Sequence, residues 1–108
     1  MTEIVLVLTT VQTVEQGNSV ARALVEERLA ACVNVLPVMT SFYRWQGAVE
    51  SGTECQLVIK TTRDQMAAVG ARIRALHSYE LPEVLVVAVE DGGADYVNWV
   101  KGATRPPD

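Results

Sequence analysis

Apolar and polar residues follow two different periods along this chain, and the places where the period changes predict its secondary structure. Residues 4–8 form an unbroken run of apolar, β-forming side chains, which predicts a strand that is covered on both faces. Between Val20 and Leu29 the apolar side chains recur every three or four residues, which predicts a helix. Thr13 and Gln16 have the spacing of a capping box, so we expect them to close the first turn of that helix.

A long extended hairpin is predicted for the middle of the chain. Residues 31–45 are rich in valine and aromatic side chains, which favour strands, and the return strand runs to about Thr61. Gln46 and Gly47 have the composition of a tight turn between the two arms, with Gly47 at positive φ. Pro37 has no backbone N–H to donate, so we expect a bulge or a bend there.

The rest of the sequence predicts a second helix, a last strand and a short terminal helix. Thr62 and Gln65 resemble a second capping box, and residues 66–76 carry one apolar stripe at helical spacing. Residues 84–89 are apolar throughout and predict a last strand, and residues 94–101 predict a short terminal helix. The order β-α-β-β-α-β with a C-terminal helix predicts an α+β fold of the ferredoxin-like class, in which two helices cover one face of an antiparallel sheet.

Length and composition fit one compact domain over residues 1–108, of which residues 104–108 are expected to fray. Hydrophobic residues make up 49% of the chain, so a core is available, and the formal charge of -4 argues against nucleic acid or an anionic membrane as a partner. No apolar run approaches the roughly 18 residues of a membrane span. The acidic start of the sequence does not resemble a signal peptide, so we expect a cytoplasmic protein.

Two features predict an oligomer. Each arm of the hairpin is long for a domain of this size, so the hairpin should extend beyond its own domain. The last strand, residues 84–89, would lie at the edge of the sheet, yet it carries none of the charges or prolines that usually protect an edge. A sheet that continues across a subunit boundary would satisfy both features.

Polar chemistry concentrates between the second helix and the last strand. This segment holds the only histidine, His77, together with Tyr79 and Glu83. Such a connection is held by rigid elements on both sides, and imidazole changes its charge near neutral pH without help. A structural role stays open, because Pro82 would equally end a helix and fix the entry to a strand.

Five longer stretches of the chain are informative when they are taken together. They are residues 23–35 (ALVEERLAACVNV), 41–47 (SFYRWQG), 59–62 (IKTT), 77–83 (HSYELPE) and 96–99 (YVNW). These stretches resemble the CutA divalent-cation-tolerance family. They occur in the family's order, and the resemblance covers nearly the whole chain.

The resemblance implies a homotrimer, similar in architecture to PII signalling proteins, that takes part in tolerance of copper and other divalent cations. It implies a cleft between subunits that is lined by Cys32, Asn34, Trp45, Lys60, His77, Tyr79 and Glu83. The expected metal ligands are His77, Cys32 and Glu83. Some family members carry a cysteine in place of Thr9 and a second histidine in place of Leu76, so His77 needs help here from Cys32 or Glu83, brought close by the fold or by another subunit.

Each candidate also has a structural interpretation. Cys32 and Cys55 belong to no CxxC motif and are expected to be reduced thiols in apolar surroundings. Lys60 would equally be a solvated lysine at a strand end, and Trp45 would equally pack across strands or at an interface.

Three functions from different classes follow. The first is a non-enzymatic trimer that binds copper or another divalent cation, and no catalytic motif argues for an enzyme. The second is a PII-like sensor that binds a small anionic metabolite at the cleft, with Lys60, Tyr79 and either Arg44 or Arg63 as donors. The third is a purely structural or interaction trimer.

Overall fold

The computed structural model describes residues 2–106. Its elements follow the order that the sequence predicts, with the first arm of the hairpin divided into two strands. The elements are β1 (Ile4–Val11), α1 (Val14–Glu26), β2 (Cys32–Val35), β3 (Met39–Trp45), β4 (Ala48–Thr62), α2 (Met66–Leu76), β5 (Leu85–Ala88) and α3 (Ala94–Ala103). In this part of the chain, no helix is long and apolar enough to cross a membrane.

One antiparallel sheet holds the five strands in the order β2-β4-β1-β5, with β3 continuing along β4. This is the ferredoxin-like α+β arrangement expected from the sequence. Helices α1 and α2 pack on one face, where alternate strand residues supply the core. The buried side chains of this core include Val5, Val7, Leu24, Leu57, Ile59, Val69 and Ile73.

The opposite face of the sheet, here called the open face, is covered by α3 at one end, where Val100 packs with Ile4. Away from α3, many side chains of this face are partly buried or exposed. They include Leu6, Leu8, Cys32, Asn34, Val58, Lys60, Leu85 and Val87. Strand β5 forms one edge of the sheet, as expected, and Leu85 leaves 57% of its surface exposed.

The first arm of the hairpin bends at Pro37, as predicted. Between the pairs Val35–Leu57 and Met39–Glu54, three residues centred on Pro37 lie opposite two residues of β4, which makes a bulge. The bulge is the reason that the arm is two strands, β2 and β3, and not one.

The tip of the hairpin projects from the domain. Gln46 and Gly47 have φ of 50° and 83°, which is the pattern of a two-residue type I′ turn. The sequence had predicted a positive φ for Gly47 but not for Gln46. Strand β4 is 15 residues long, and the chain measures 44 Å along its longest axis against 25 and 24 Å along the others. Phe42, near the tip, is 75% exposed.

Helix α1 begins at its predicted cap. The Thr13 hydroxyl accepts a hydrogen bond from the Gln16 N–H at 3.1 Å, while the Gln16 side chain reaches one residue further back than a capping box requires and accepts from the Gln12 N–H at 3.3 Å. A Cβ at Gly17 would lie 3.2 Å from two valine side chains of the sheet, so glycine allows α1 to approach the sheet closely.

Helix α1 ends at Glu26, earlier than the apolar period to Leu29 suggested. Arg28 takes a left-handed conformation (φ 59°), and the backbone hydrogen bonds around it form a Schellman motif, so the helix cannot continue. The Arg28 guanidinium then donates to the carbonyls of Gly102 and Ala103 at the end of α3. Arg28 is therefore a link between two helix ends.

The second predicted capping box is wrong. Thr62 makes no capping hydrogen bond, because a 3₁₀ turn, Arg63–Gln65, separates it from α2. The Gln65 side chain instead donates to the Arg105 carbonyl at 2.9 Å. At the start of the tail that the sequence predicted to fray, Arg105 accepts this hydrogen bond and Thr104 is only 5% exposed. Residues 107–108 lie outside the described residues.

Candidate functional site

His77 follows the last residue of α2, and both of its ring nitrogens are engaged. Its Nδ1 accepts a hydrogen bond from the Tyr79 N–H at 3.0 Å. Because Nδ1 accepts, Nε2 carries the proton and donates to the Thr10 carbonyl at 2.5 Å. The imidazole therefore joins β1 to the segment after α2, and a metal ion could bind it only after one of these bonds had broken.

Tyr79 connects this segment to the hairpin. Its ring lies 4.5 Å from the His77 ring, centre to centre, and its hydroxyl donates to Glu54 at 3.0 Å. Burial, together with the hydrogen bond to the Glu54 carboxylate, raises the pKa of Tyr79 to about 12. The phenol is therefore a neutral hydrogen-bond donor throughout the neutral pH range.

Glu83 is the third polar group of this region. Burial raises the pKa of Glu83 above its ordinary value, the nearby negative charge of Glu54 adds to the effect, and a hydrogen bond with Gln56 opposes it. Glu54 therefore interacts with both Tyr79 and Glu83, although it lies on a different element from either.

Tyr79, Glu83 and Glu54 line a groove of about 980 Å³ between the hairpin and the segment that leads into β5. Tyr43, Trp45 and Glu54 lie on the hairpin side, and residues 79–85 form the other side. The described residues that line the groove include three glutamates and no lysine or arginine. The charge of the groove therefore favours a cation or a neutral group over an anion.

Three other candidates lie towards the opposite end of the open face. Cys32 pairs across the strands with Lys60, and the Asn34 amide lies 4.0 Å from the Cys32 sulfur, at the limit of a hydrogen bond. The Lys60 Nζ lies 5.7 Å from the centre of the Tyr96 ring on α3, within the range of a cation–π interaction. Both cysteines are free thiols, with Cys55 buried and Cys32 partly exposed.

The seven candidate residues thus fall into two clusters within one chain. The groove cluster contains Trp45, Tyr79 and Glu83, which line the groove, and His77, which contacts Tyr79. The open-face cluster contains Cys32, Asn34 and Lys60. Along β4, Lys60 and Gln56 are separated by about 13 Å at 3.3 Å per residue. Among residues 2–106, no group of three His, Cys, Asp or Glu side chains is placed to hold a metal ion. A site that used His77, Cys32 and Glu83 together would need a second chain.

The sequence interpretation missed Glu54, Gln56 and Tyr96. Strand alternation carried a usable signal for the first two, because even-numbered residues of β4 share the face of Lys60. No local pattern could have placed Tyr96 beside Lys60, since that contact depends on how α3 folds back over the sheet.

The fold and the groove define a class of small ferredoxin-like α+β domain with a ligand-sized groove beside a projecting hairpin. Residues 5–103 match the model of the family described as CutA1 divalent ion tolerance protein. The chain belongs to this family.

Individual relatives agree with the family match. The chain is 43% identical to the divalent-cation tolerance protein CutA of Thermus thermophilus over 104 residues, which is 96% of this chain and 99% of the relative. It is 38% identical to the chloroplastic protein CutA of Arabidopsis thaliana over 94% of this chain, and it spans only 56% of that longer relative. The crystal structure of CutA from Xylella fastidiosa is similar with a TM-score of 0.93 and 39% identity, covering 96% of this chain and 100% of that one.

Proposed function

We propose that this protein acts in tolerance of divalent cations as a non-enzymatic homotrimer, and that a bound cation, copper among the candidates, is held between subunits. The observation that carries the proposal is the division of the candidate ligands. Glu83 lines the groove and His77 contacts Tyr79 of the groove, while Cys32 lies opposite Lys60 in the open-face cluster. A neighbouring chain that covers the open face would place its own candidate ligands next to those of the first chain.

Exposed apolar surface supports the trimer. On the edge strand, Leu85, Val86 and Val87 leave 57%, 42% and 44% of their surfaces exposed, and Phe42 projects on the hairpin. Unprotected apolar edges are sites for pairing with another strand. An obligate interface built on these elements would exceed about 2,000 Å².

Light scattering coupled to size exclusion tests the assembly. The wild type should have three times the chain mass of 11.8 kDa and stay associated at micromolar concentration. Val87→Glu should dissociate or unfold the protein, whereas Val25→Glu, at a valine of α1 with similar exposure (41%), should stay trimeric. A wild-type mass near 11.8 kDa with a cooperative thermal transition would exclude the trimer.

Calorimetric titration with copper tests the shared site. His77→Ala also removes the contacts to Thr10 and Tyr79, so on its own it is ambiguous. Cys32→Ser, in the other cluster, should weaken copper binding as strongly as His77→Ala does if both residues contribute to one intersubunit site. Equal binding by the wild type and both variants would remove these residues as ligands.

Lys60 favours a second candidate, a PII-like sensor of a small anionic metabolite. Within residues 2–106, no carboxylate lies in salt-bridge range of its ammonium group. Tyr79 is a weaker donor for this role than the sequence suggested, because its hydroxyl already donates to Glu54. A thermal-shift screen of metals against small anions separates the two candidates, since a ligand specific for the native state raises the melting temperature. No response to either class would favour a purely structural trimer.

We also propose that the protein works in the cytoplasm. The two free thiols, Cys32 and Cys55, are typical of a reducing compartment and support this location. The Arabidopsis relative is named as chloroplastic, so membership of the family does not fix the compartment. Cell fractionation with an antibody against the natural protein would test it, and recovery in an extracytoplasmic fraction would contradict it.

A further inference from the structure

Asp91 is followed directly by Gly92 in the exposed segment that joins β5 to α3. The Gly92 N–H donates to Asp91 Oδ1 at 2.8 Å, so the side-chain carboxyl group of Asp91 lies against the backbone nitrogen of the next residue. Glycine has no Cβ, so nothing on Gly92 hinders an approach to that nitrogen. A carboxyl group and a backbone nitrogen of adjacent residues are therefore held in an arrangement from which a ring can close.

We propose that Asp91 is a site of spontaneous covalent modification, at which the backbone isomerises to isoaspartate through a cyclic succinimide. The Gly92 nitrogen attacks Asp91 Cγ and forms a new C–N bond. One carboxyl oxygen leaves as water, and it carries away the amide proton and one proton from solvent. The reaction needs no metal, metabolite or partner, so it does not rest on the proposed function.

Hydrolysis of the succinimide completes the reaction. Water adds to one of the two ring carbonyls and breaks the bond between that carbon and the nitrogen. When the new bond to Cγ breaks, aspartate is restored. When the original peptide bond breaks, the chain continues through Cγ, and the former backbone carbonyl becomes a free carboxylate. The lost water is returned and a proton is released to solvent, so the modified chain keeps its mass and charge.

The fold singles out Asp91 among the aspartates of residues 2–106. Asp64 lies in the 3₁₀ turn Arg63–Gln65, and Asp95 lies in the first turn of α3. At both positions, helical dihedral angles and the side chain of the following residue restrict ring closure. Asp91 lies outside the helices and strands and precedes a glycine.

The isomerisation would change the entry to α3, because it adds one carbon atom to the path of the backbone directly before the helix. A Cβ on Gly92 would lie 3.3 Å from a Val97 methyl group, and the Val97 N–H donates to the Gly93 carbonyl at 2.9 Å. Val97 is therefore in contact with the segment that changes. We expect the first turn of α3 to loosen, and with it the cover that α3 provides over Ile4.

Peptide mapping of the assembled wild-type protein tests the site, since any restraint from a neighbouring subunit is then present. During incubation at neutral pH, cleavage by endoproteinase Asp-N before residue 91 should decline with time, because this protease cuts before aspartate and not before isoaspartate. After incubation in ¹⁸O-labelled water, fragmentation should place a labelled oxygen at Asp91 and none at Asp64 or Asp95.

Two glycine variants form the matched test. Gly92→Ala places a Cβ next to the attacking nitrogen and should slow isoaspartate formation several-fold. Gly93→Ala should leave the rate unchanged, because a Cβ there meets no atom within 4 Å and the Asp91–Gly92 pair stays intact. Asp91→Glu keeps the charge but would need a ring that is one atom larger, so it should stay unmodified. Thermal melts confirm that each variant is folded.

A synthetic peptide of residues 86–97 separates the effect of the fold from that of the sequence. Because the fold holds the two groups at 2.8 Å, the protein should form isoaspartate at least as fast as the peptide. A slower rate in the protein, equal modification of Asp64 and Asp95, or equal slowing by both alanine variants overturns the proposal. In the isolated isoaspartate form, the Val97 amide should exchange with solvent faster than in the unmodified protein, and an unchanged rate would overturn the loosening of α3.

Discussion

The Tyr79 hydroxyl donates a hydrogen bond to the Glu54 carboxylate at 3.0 Å, and this bond joins the segment after α2 to the hairpin. The two residues are 25 positions apart in sequence. On its other side, Tyr79 is held by the His77 ring, which in turn contacts β1. The width of the groove therefore depends on a short series of contacts that runs from β1 to the hairpin.

Tyr79→Phe should loosen the hairpin without unfolding the domain. The substitution removes the hydroxyl that reaches Glu54, at a cost of about 1 kcal/mol in unfolding free energy. Amide hydrogen exchange should accelerate around Glu54 and through β3. Tyr43→Phe is the control, because Tyr43 lines the same groove on the hairpin side. Equal exchange profiles for the two variants would contradict this role of the Tyr79–Glu54 bond.

Glu83→Gln should change how stability depends on pH. Burial and the charge of Glu54 raise the pKa of Glu83 above its ordinary value of 4.5, so the folded protein holds this proton to a higher pH than the unfolded chain does. The wild type should therefore lose stability relative to Glu83→Gln as pH rises from about 4.5 through the higher folded pKa. Urea unfolding of both proteins from pH 4 to pH 8 measures the difference. A difference that stays constant with pH, or one that Glu80→Gln reproduces, would refute the prediction.

Thr9→Val should stabilise the protein. The Thr9 hydroxyl is fully buried in β1 and has no hydrogen-bond partner among the described residues, so replacing it with a methyl group should add about 1 kcal/mol to the unfolding free energy. Thr61→Val is the matched control on β4, because the equally buried Thr61 hydroxyl donates to the Leu29 carbonyl at 2.6 Å. That variant should be destabilised. Thermal and chemical denaturation at one protein concentration would show the opposite signs, and equal signs would refute the account.

Arg28→Gly should be more stable than Arg28→Ala by about 1 kcal/mol. Both variants lose the guanidinium contacts to Gly102 and Ala103, so the comparison isolates the backbone. Glycine adopts the left-handed conformation at φ 59° without the steric penalty that a Cβ carries. Chemical denaturation measures the difference, and equal stabilities would show that this conformation carries no penalty here.

The local pattern of apolar and polar residues predicted the helices and strands well, but it predicted the arrangement of the candidate site residues poorly. Helical spacing placed α2 where it lies, and Pro37 marked the bulge. The apolar run predicted a strand over residues 4–8. Thr9 and Thr10, which follow it, are polar yet buried, and β1 continues to Val11. Polarity is a guide to exposure only while tertiary packing does not override it.

The division of the site into two clusters lies beyond any local pattern. Cys32 lies opposite Lys60 because of the β2–β4 register, and Glu54 meets Tyr79 because the segment after α2 returns across the sheet. These relationships join residues 25 or more positions apart in sequence. The family resemblance implied that all seven candidate residues line one cleft between subunits. Within one chain, the fold places them in two separate clusters.

The bulge at Pro37 has a further consequence for how this architecture can vary. Cys32 before the bulge and Trp45 after it both lie opposite even-numbered residues of β4, although one is even-numbered and the other odd. Deleting Pro37 would therefore merge β2 and β3 into one straight arm and leave every side chain on its present face. The angle at which the tip leaves the domain would change instead, since the extra residue bends and twists the strand. A one-residue deletion or insertion here is thus a simple route by which a related chain could re-aim its tip towards a different neighbour while keeping Trp45 beside the groove.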